Sequence, residues 1–244
     1  GCVEQTTSQC FPLVYLSDLG KQIAPGVFEP DSIRRKVQSG ILQLIGMQTG
    51  SGGLAMWPGE SKDWPWGSVY AAHFLVEAEK AGYQVPDDFK ARLMAYVRTL
   101  LAQSPQPGDE VELQAYAAYV TALAGKPDRA VLQRLGEIID AESKFANPPE
   151  NVGAARMQLA LAWAAAGRND LAEKLLPQAL PAPRAHRQLG GNFGSPIRDQ
   201  ALLLTTLLTV SPDNPALPQL AERLAAAGQN HEWLSTQDNA FAVM

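Results

Sequence analysis

Apolar residues recur at helical spacing along almost the whole chain, and alternation with a period of two residues is rare. Alanine and leucine dominate and β-branched runs are short, which favours helices over strands. The pattern therefore predicts an all-α chain. The predicted helices span residues 6–19, 31–48, 66–81, 87–102, 110–123, 128–139, 152–166, 171–180, 196–209, 215–227 and 236–244.

Ala-Gly pairs end several of these predicted helices, because glycine adopts the left-handed conformation that closes a helix. They lie at Gly82, Gly125, Gly167 and Gly228. The first three pairs are about 40 residues apart, which is the length of one helical hairpin, and the fourth follows after a longer interval. About six such hairpins can stack into an open solenoid or close into an α/α toroid with inner and outer helices. Neighbouring segments do not keep one residue pattern, so we favour the toroid.

The 244 residues are 46% hydrophobic and 18% charged, so they can form a packed core. No linker rich in serine, glycine or charge divides the chain, which predicts a single domain over residues 1–244. The sequence begins at Gly1 without an initiator methionine and ends at Met244 inside an apolar run. We expect this domain to come from a longer protein.

Composition also argues against several classes of function. A net charge of −5 argues against a nucleic-acid-binding surface. Two cysteines are too few for a disulfide framework, and neither a His-x-x-x-His nor a Cys-x-x-Cys spacing occurs. The sequence shows neither an apolar run of the length of a membrane span nor a signal peptide. We therefore expect no metal, no cofactor and no nucleic-acid partner.

Two segments resist the helical pattern. Residues 49–67 are rich in glycine and tryptophan, and residues 181–195 are rich in glycine. Long ordered loops of this kind usually serve either function or the closing of one face of a fold.

The segment Cys2-Val3-Glu4-Gln5 carries the most unusual chemistry of the chain. Side chains three positions apart share a helix face, so the Cys2 sulfur can reach the Gln5 side-chain carbonyl. Attack on that amide with loss of ammonia gives an internal thioester in a ring of roughly fifteen atoms. An amine or hydroxyl can then expel the thiolate, which a helix N-terminus stabilises. Spacing alone leaves a second interpretation open, a buried cysteine followed by a solvated Glu4 and Gln5.

The run GCVEQTTSQCFPLVYL at residues 1–16 resembles the thioester signature of the alpha-2-macroglobulin and complement family, in particular its bacterial branch. Further similar segments follow in the family's order: GSGGLAMWPG at 50–59, WGSVYAAHFLVEA at 66–78, SPIRDQALLL at 195–204 and WLSTQDNAFAV at 233–243. The resemblance covers essentially the whole chain, and it implies that Cys2 and Gln5 are the reactive pair.

This resemblance implies the thioester-containing domain, an α/α toroid, of a much larger protein built mostly of β-sandwich modules. It implies a covalent protease inhibitor rather than an enzyme. A protease cleaves a bait region elsewhere, the protein rearranges, and the exposed thioester acylates a lysine of that protease. Cys2 is then the leaving thiol and Gln5 the single-use acyl donor, while Gly1 and Glu4 shape the turn. The implied partners are target proteases and neighbouring β-sandwich domains. The implied location is the periplasm, with an inner-membrane lipid anchor as one option.

Histidine bears on which group the thioester acylates. In the complement proteins that acylate hydroxyls, a histidine on a later part of the toroid catalyses the transfer. The three histidines here, His73, His186 and His231, lie outside positions 74–185, where that residue is expected. The resemblance therefore implies acylation of amines. His73 is predicted to be a core or helix-face residue, and the other two are predicted to be solvated.

A thioester must be kept from water until it is needed, and aromatic side chains near Cys2 are candidates for this shield. The candidates are Tyr15, Trp57, Trp64 and Trp66. Alternatively, the tryptophans only pack loops onto the helices. The resemblance also implies that a neighbouring β module supplies part of the shield in the full-length protein.

Cys10 lies outside the signature segment. If residues 2–10 form one helix, Cys10 lies about 12 Å from Cys2, which is too far for a disulfide. If Cys2 lies on a preceding loop, a disulfide can form but would disable the thioester. We predict that Cys10 is a buried thiol.

Two alternatives to a covalent trap remain open at this point: a non-covalent helical scaffold that binds a partner, and an α/α-toroid hydrolase. Some α/α toroids are glycosidases or terpenoid cyclases, which makes paired carboxylates of interest. The pairs here are Asp87-Asp88 and Glu110/Glu112. Both open predicted helices, where acids serve as caps and dipole partners, so we favour a structural role for them.

Overall fold

The computed structural model describes residues 1–23, 29–184, 186–230 and 235–244, with side chains of 17–23 excepted. These residues form helices α1 (Val3–Ile23), α2 (Pro30–Ile45), α3 (Pro65–Lys80), α4 (Asp87–Leu101), α5 (Asp109–Leu123), α6 (Arg129–Glu142), α7 (Val152–Ala165), α8 (Asn169–Glu173), α9 (Pro196–Val210), α10 (Leu217–Gln229) and α11 (Thr236–Val243). Within those ranges the only β pairing is two isolated bridges, Gln48–Leu54 and Ala55–Asp63. The all-α prediction is confirmed.

The glycines placed at helix ends behave as predicted in three of four cases. Gly82, Gly125 and Gly167 have positive φ angles of 85°, 78° and 75°, directly after α3, α5 and α7. The prediction for Gly228 is wrong, because this residue lies inside α10. Glycine within a helix costs only about 1 kcal/mol, and here Asn230 caps the helix instead.

Helix α8 is shorter than predicted. The periodicity indicates a helix over 171–180, but α8 ends at Glu173. Pro177 lies where a second and third turn would form. Proline lacks the backbone N–H that the helix needs, and it disfavours helical backbone at the preceding residue.

The chain divides into two compact units, residues 1–99 with 239–244, and residues 100–238. In the first unit, α1 packs against both α2 and α3. Helix α3 is buried on nearly all of its faces, whereas α2 and α4 each present one apolar face. This is the alternation of inner and outer helices that the sequence predicts.

The core of the first unit centres on Phe11 of α1, which is fully buried. Its ring lies 4.8 Å from the His73 ring and 5.7 Å from the Phe74 ring, both on α3. On the other side, α1 crosses α2 at Gly40, where any side chain would collide with the Cys10 sulfur. The large Phe11 ring on one side and the missing side chain of Gly40 on the other thus determine the position of α1 between α3 and α2.

In the second unit, α7 packs against both α5 and α9, and all three bury most of their faces. Helices α6 and α10 are amphipathic and cover this layer from outside. The same inner and outer alternation therefore recurs. Closure of the helices into a toroid, and a single domain over 1–244, stay predictions.

A buried ion pair joins distant parts of the second unit. Glu112 of α5 and Arg198 of α9 are 0% and 1% exposed in their side chains, and Arg198 donates to the Glu112 carboxylate. The amides of Asn151 and Asn192 donate to the other carboxylate oxygen at 3.2 and 3.0 Å. Burial raises the pKa of Glu112, and the Arg198 guanidinium opposes that rise. Glu112 is therefore a core residue, not only the helix-opening acid that the sequence indicated.

None of the helices in the described part of the chain combines the length and apolar character needed to cross a bilayer.

Candidate functional site: the cysteine–glutamine turn

The reactive candidates Cys2 and Gln5 meet at the start of α1. Cys2 directly precedes the helix, and its carbonyl accepts the first helical hydrogen bond, from Thr6 N–H, at 2.9 Å. The Gln5 backbone N–H donates to Cys2 Sγ at 3.4 Å, and the Cys2 backbone N–H donates to Gln5 Oε1 at 3.2 Å. This reciprocal pair is the geometry of a capping box, with cysteine in place of serine or threonine. Ordinary helix capping therefore folds the Cys2 and Gln5 side chains toward each other's backbone within one helical turn.

The same two hydrogen bonds suit acyl transfer. The Cys2 N–H polarises the Gln5 carbonyl and can stabilise negative charge that develops on its oxygen. The Gln5 N–H and the helix N-terminus favour negative charge on the sulfur. Cys2 is buried at 9% exposure, whereas Gln5 is exposed. The turn thus presents the glutamine side chain to solvent and holds the sulfur behind it.

Two glycines make room for this turn. A side chain at Gly1 would lie 3.3 Å from Gln5 Oε1, so glycine lets Gln5 fold back toward Cys2. At Gly67 of α3, a Cβ would lie 2.7 Å from Val3 Cγ1, so glycine lets the start of α1 approach α3. The Val3 N–H also donates to the Met56 carbonyl at 3.0 Å, which ties the turn to the loop after α2.

Glu4 connects the turn to the interior of the first unit. Its side chain is buried and accepts a hydrogen bond from Ser8 Oγ, one helical turn later, at 2.7 Å. Ser8 Oγ in turn lies 3.1 Å from the hydroxyl of Tyr70, a fully buried residue of α3. Burial raises the pKa of Tyr70, so its hydroxyl stays protonated. The solvated Glu4 of the alternative interpretation is wrong, because this carboxyl group belongs to an internal network.

The loop between α2 and α3 holds its shape through its own polar groups. Asp63 accepts hydrogen bonds from Thr49 and, at 2.7 Å, from Ser51. Ser68 of α3 accepts from the Leu54 N–H at 2.8 Å and donates to the Trp64 carbonyl at 2.9 Å. These hydrogen bonds hold the loop in one conformation, and the bond from the Val3 N–H to the Met56 carbonyl places it beside the Cys2–Gln5 turn.

The aromatic shield candidates occupy different environments. Trp57 is 45% exposed and follows Met56, whose carbonyl binds Val3, so it lies on the loop nearest the turn. Trp66 is 2% exposed and part of the core, and Trp64 is half-buried directly before α3. Tyr15 is 41% exposed, stacks on Phe11, and lies about 15 Å along α1 from Gln5.

The histidines lie where the sequence indicates, as far as the structure describes them. His73 is buried against Phe11, and burial, with a smaller contribution from Lys80, lowers its pKa to about 3. His186 is solvated, with Nδ1 3.0 Å from a carboxylate oxygen of Glu150. His231 lies outside the described residues.

His73 makes stability depend on pH. The pKa of His73 is about 3 in the folded protein, against an ordinary value of 6.5, so the unfolded chain takes up a proton at a higher pH than the folded protein does. The contribution of His73 to the free energy of unfolding is therefore fully present above pH 6.5. It is lost as the pH falls toward 3, with about 2 kcal/mol lost at pH 5. Urea unfolding at pH 7 and pH 5 measures this loss. We expect it to disappear in His73→Gln and to persist in the exposed control His186→Gln. An equal pH dependence in all three proteins contradicts the prediction.

Cys10 is a free, buried thiol, as predicted. Its sulfur fits the notch at Gly40 and donates to the Lys36 carbonyl at 3.6 Å. Burial raises its pKa to about 11, which keeps it protonated. The described residues hold no group of three or more His, Cys, Asp or Glu side chains arranged to bind a metal ion.

Two parts of the site were not identified from the sequence, the capping box and the contact between Ser8 and Tyr70. The capping box was detectable, because Cys-x-x-Gln has the spacing of Ser/Thr-x-x-Glu/Gln before an apolar run. The contact between Ser8 and Tyr70 joins residues 62 positions apart, and no local pattern predicts it.

Comparison with known proteins shows what the chain as a whole is similar to. No family model matches the chain. The chain is 31% identical to alpha-2-macroglobulin of Escherichia coli strain K12 over 252 residues, which cover 98% of the chain and 15% of that protein. Salmonella alpha-2-macroglobulin reacted with methylamine matches with TM-score 0.82 and 29% identity, over 100% of this chain and 16% of that one. Trypsin-activated alpha-2-macroglobulin from Escherichia coli matches with TM-score 0.77 and 29% identity, over 100% and 17%.

The layered helices define the class, an all-helical domain, and structures of alpha-2-macroglobulins contain a region of the same fold. The chain is homologous to that region of the bacterial alpha-2-macroglobulins. It spans about 15% of the length of the curated relatives that it matches.

Proposed function

We propose that these residues form the thioester-containing domain of a larger protease-trapping protein, with Cys2 and Gln5 as its reactive pair. The observation that carries the proposal is the reciprocal pair of hydrogen bonds, at 3.2 and 3.4 Å, between their backbone and side-chain atoms. These bonds hold the thiol and the glutamine side chain within the same helical turn, which supports a reaction between them. Homology to a region of the bacterial alpha-2-macroglobulins supports the proposal, as does a structural relative that has been reacted with methylamine.

The chemistry has two balanced steps. First, Cys2 Sγ attacks Gln5 Cδ, so that the Sγ–Cδ bond forms, the Cδ–Nε2 bond breaks, and ammonia leaves with the thiol proton. Later, a lysine amine attacks Cδ, an amide bond forms, and Cys2 leaves as a thiolate that takes up the amine proton. Gln5 is consumed, so the domain acts once as an acyl donor and is an inhibitor module, not an enzyme.

The rest of the proposed scheme concerns the whole protein. The acceptor is a lysine of the protease that has cleaved a bait region elsewhere, and the location is the periplasm. Before cleavage, neighbouring β-sandwich domains cover the turn together with the loop that carries Trp57. An exposure of 45% for Trp57 supports this, because the ring offers apolar surface beside the turn for a neighbour to cover.

The alternatives have less support. A non-covalent scaffold does not need the two hydrogen bonds between Cys2 and Gln5. A toroid hydrolase needs paired carboxyl groups at a substrate site. Asp87 and Asp88 are exposed at the start of α4, and Glu112 is bound to Arg198.

Mass spectrometry of the full-length protein tests the proposal. We expect the native protein to weigh about 17 Da less than its sequence requires, the mass of the ammonia lost. Methylamine treatment should then add one methylamine, and peptide mapping should place it on Gln5 with one newly titratable thiol at Cys2. A native mass equal to that of the sequence, with no methylamine on Gln5, contradicts the proposal.

A further inference from the structure

A cleft of about 370 Å³ lies between α1 and α2, and Thr6 is one of its lining residues. The side chains that matter here are Thr6, Gln9 and Leu13 from α1, and Lys36, Ser39 and Gln43 from α2. Thr6 directly follows the reactive glutamine in the chain. The cleft therefore opens next to the position where an acceptor amine must arrive.

The two helices run antiparallel along the cleft, which gives it a near end and a far end. At the near end, Thr6 Oγ1 donates to Gln43 Oε1 at 3.5 Å. Farther along, Cys10 Sγ donates to the Lys36 carbonyl at 3.6 Å. Five residues of helix separate Gln5 from Cys10, so Lys36 lies about 7.5 Å or more from the reactive side chain along the axis.

Charge is distributed unevenly between these ends. The near end carries hydroxyl and amide groups, which do not repel a lysine ammonium and can accept its hydrogen bonds. Among the described residues that line the cleft, Lys36 is the charged one, and it is exposed. Its ammonium opposes the rise of the Cys10 pKa, so its charge acts inside the cleft.

We propose that this cleft receives the polypeptide that flanks the acceptor lysine, and that Lys36 selects acceptors with an acidic residue about three positions from that lysine. An extended peptide advances about 3.3 Å per residue, so two to four residues span the distance from Gln5 to Lys36. A carboxylate there pairs with Lys36, and a second basic residue is repelled. This inference rests on the proposed function and adds to it a preference among lysines.

The expected size of the preference for acidic peptides follows from the solvent exposure of the ion pair between Lys36 and the peptide carboxylate. A solvent-exposed ion pair changes a binding step by about threefold, and salt screens it. We therefore expect peptides with glutamate at the third position to be incorporated about threefold faster than those with arginine. The difference should shrink as the ionic strength rises from about 0.01 M to 1 M.

Competition between peptides on the full-length protein tests this. The probes are peptides with one lysine that differ only in carrying Glu, Gln or Arg three positions before or after it. The variant is Lys36→Glu. The matched control is Arg35→Glu, which makes the same charge change at the neighbouring exposed position of α2, outside the cleft. Methylamine, which has no flanking chain, is measured in parallel on all three proteins.

We expect the wild type and Arg35→Glu to prefer the glutamate peptide, and Lys36→Glu to prefer the arginine peptide, with methylamine incorporated equally by all. Equal rates for the three peptides, or an unchanged preference in Lys36→Glu, overturn the inference. If methylamine is still incorporated normally in that case, the proposed function is unaffected. Absence of methylamine incorporation in the wild type overturns the proposed function itself, and this inference with it.

Discussion

Replacing Cys2 with serine is expected to abolish amine incorporation at Gln5, lowering its rate by at least about 100-fold. The serine hydroxyl can still accept the Gln5 N–H and cap α1, so the helix start survives. It cannot supply the thiolate that the reaction expels. Incorporation of radiolabelled methylamine into the full-length protein, and covalent complexes with protease on denaturing gels, measure the loss.

Cys10→Ala is the matched control, because it removes the other thiol of the chain. Cys10 fills the notch at Gly40, so we expect this variant to lose about 1 kcal/mol of stability and to incorporate methylamine normally. The proposed role of Cys2 is wrong if Cys2→Ser retains incorporation, or if Cys10→Ala loses it to the same degree while remaining folded.

Replacing Arg198 with methionine is expected to destabilise the second unit by about 3–5 kcal/mol. The substitution keeps much of the apolar stem but leaves Glu112, which is 0% exposed, without its cation. It also removes the donor to the Asn192 carbonyl, a hydrogen bond of 2.6 Å. Urea unfolding of the wild type and variant measures the difference in the free energy of unfolding.

Arg156→Met provides the comparison at the surface of the same unit. Arg156 is partly exposed and pairs at 3.0 Å with Asp140, which is 57% exposed, so its loss should cost about 0–1 kcal/mol. In the double variant Glu112→Gln with Arg198→Met, we expect partial recovery, because the glutamine oxygen still accepts from Asn151 and carries no charge. Equal effects of the two single arginine substitutions contradict the importance of the buried pair.

Local patterns predicted the helices well and their ends less well. Periodicity located the outer helices, which each bury one apolar face, and the prevalence of alanine and leucine indicated the inner ones, which are buried on most faces. It failed after Glu173, where the restriction imposed by Pro177 outweighs continued apolar spacing. It failed again at Gly228, because the low cost of one internal glycine does not force a helix to end.

The geometry of the Cys2–Gln5 turn was predictable for the same reason that the helices were. Cys2 and Gln5 are three positions apart, and their geometry depends on one helical turn. Its surroundings were not predictable, because they depend on contacts across the chain. Glu112 and Arg198, separated by 86 positions, pair only once α5 and α9 have packed in one unit.

The capped turn has a consequence for how such chemistry can be gained or lost. A helix that begins Ser-x-x-Gln makes the same two hydrogen bonds and is chemically inert. Under the proposed function, exchange of that oxygen for sulfur converts the inert start of α1 into an acyl donor, and the reverse exchange removes the reactivity without a change of backbone. A lineage can therefore switch this reactivity on or off in a single codon while the helix, its packing on α3 and the Glu4 network remain in place.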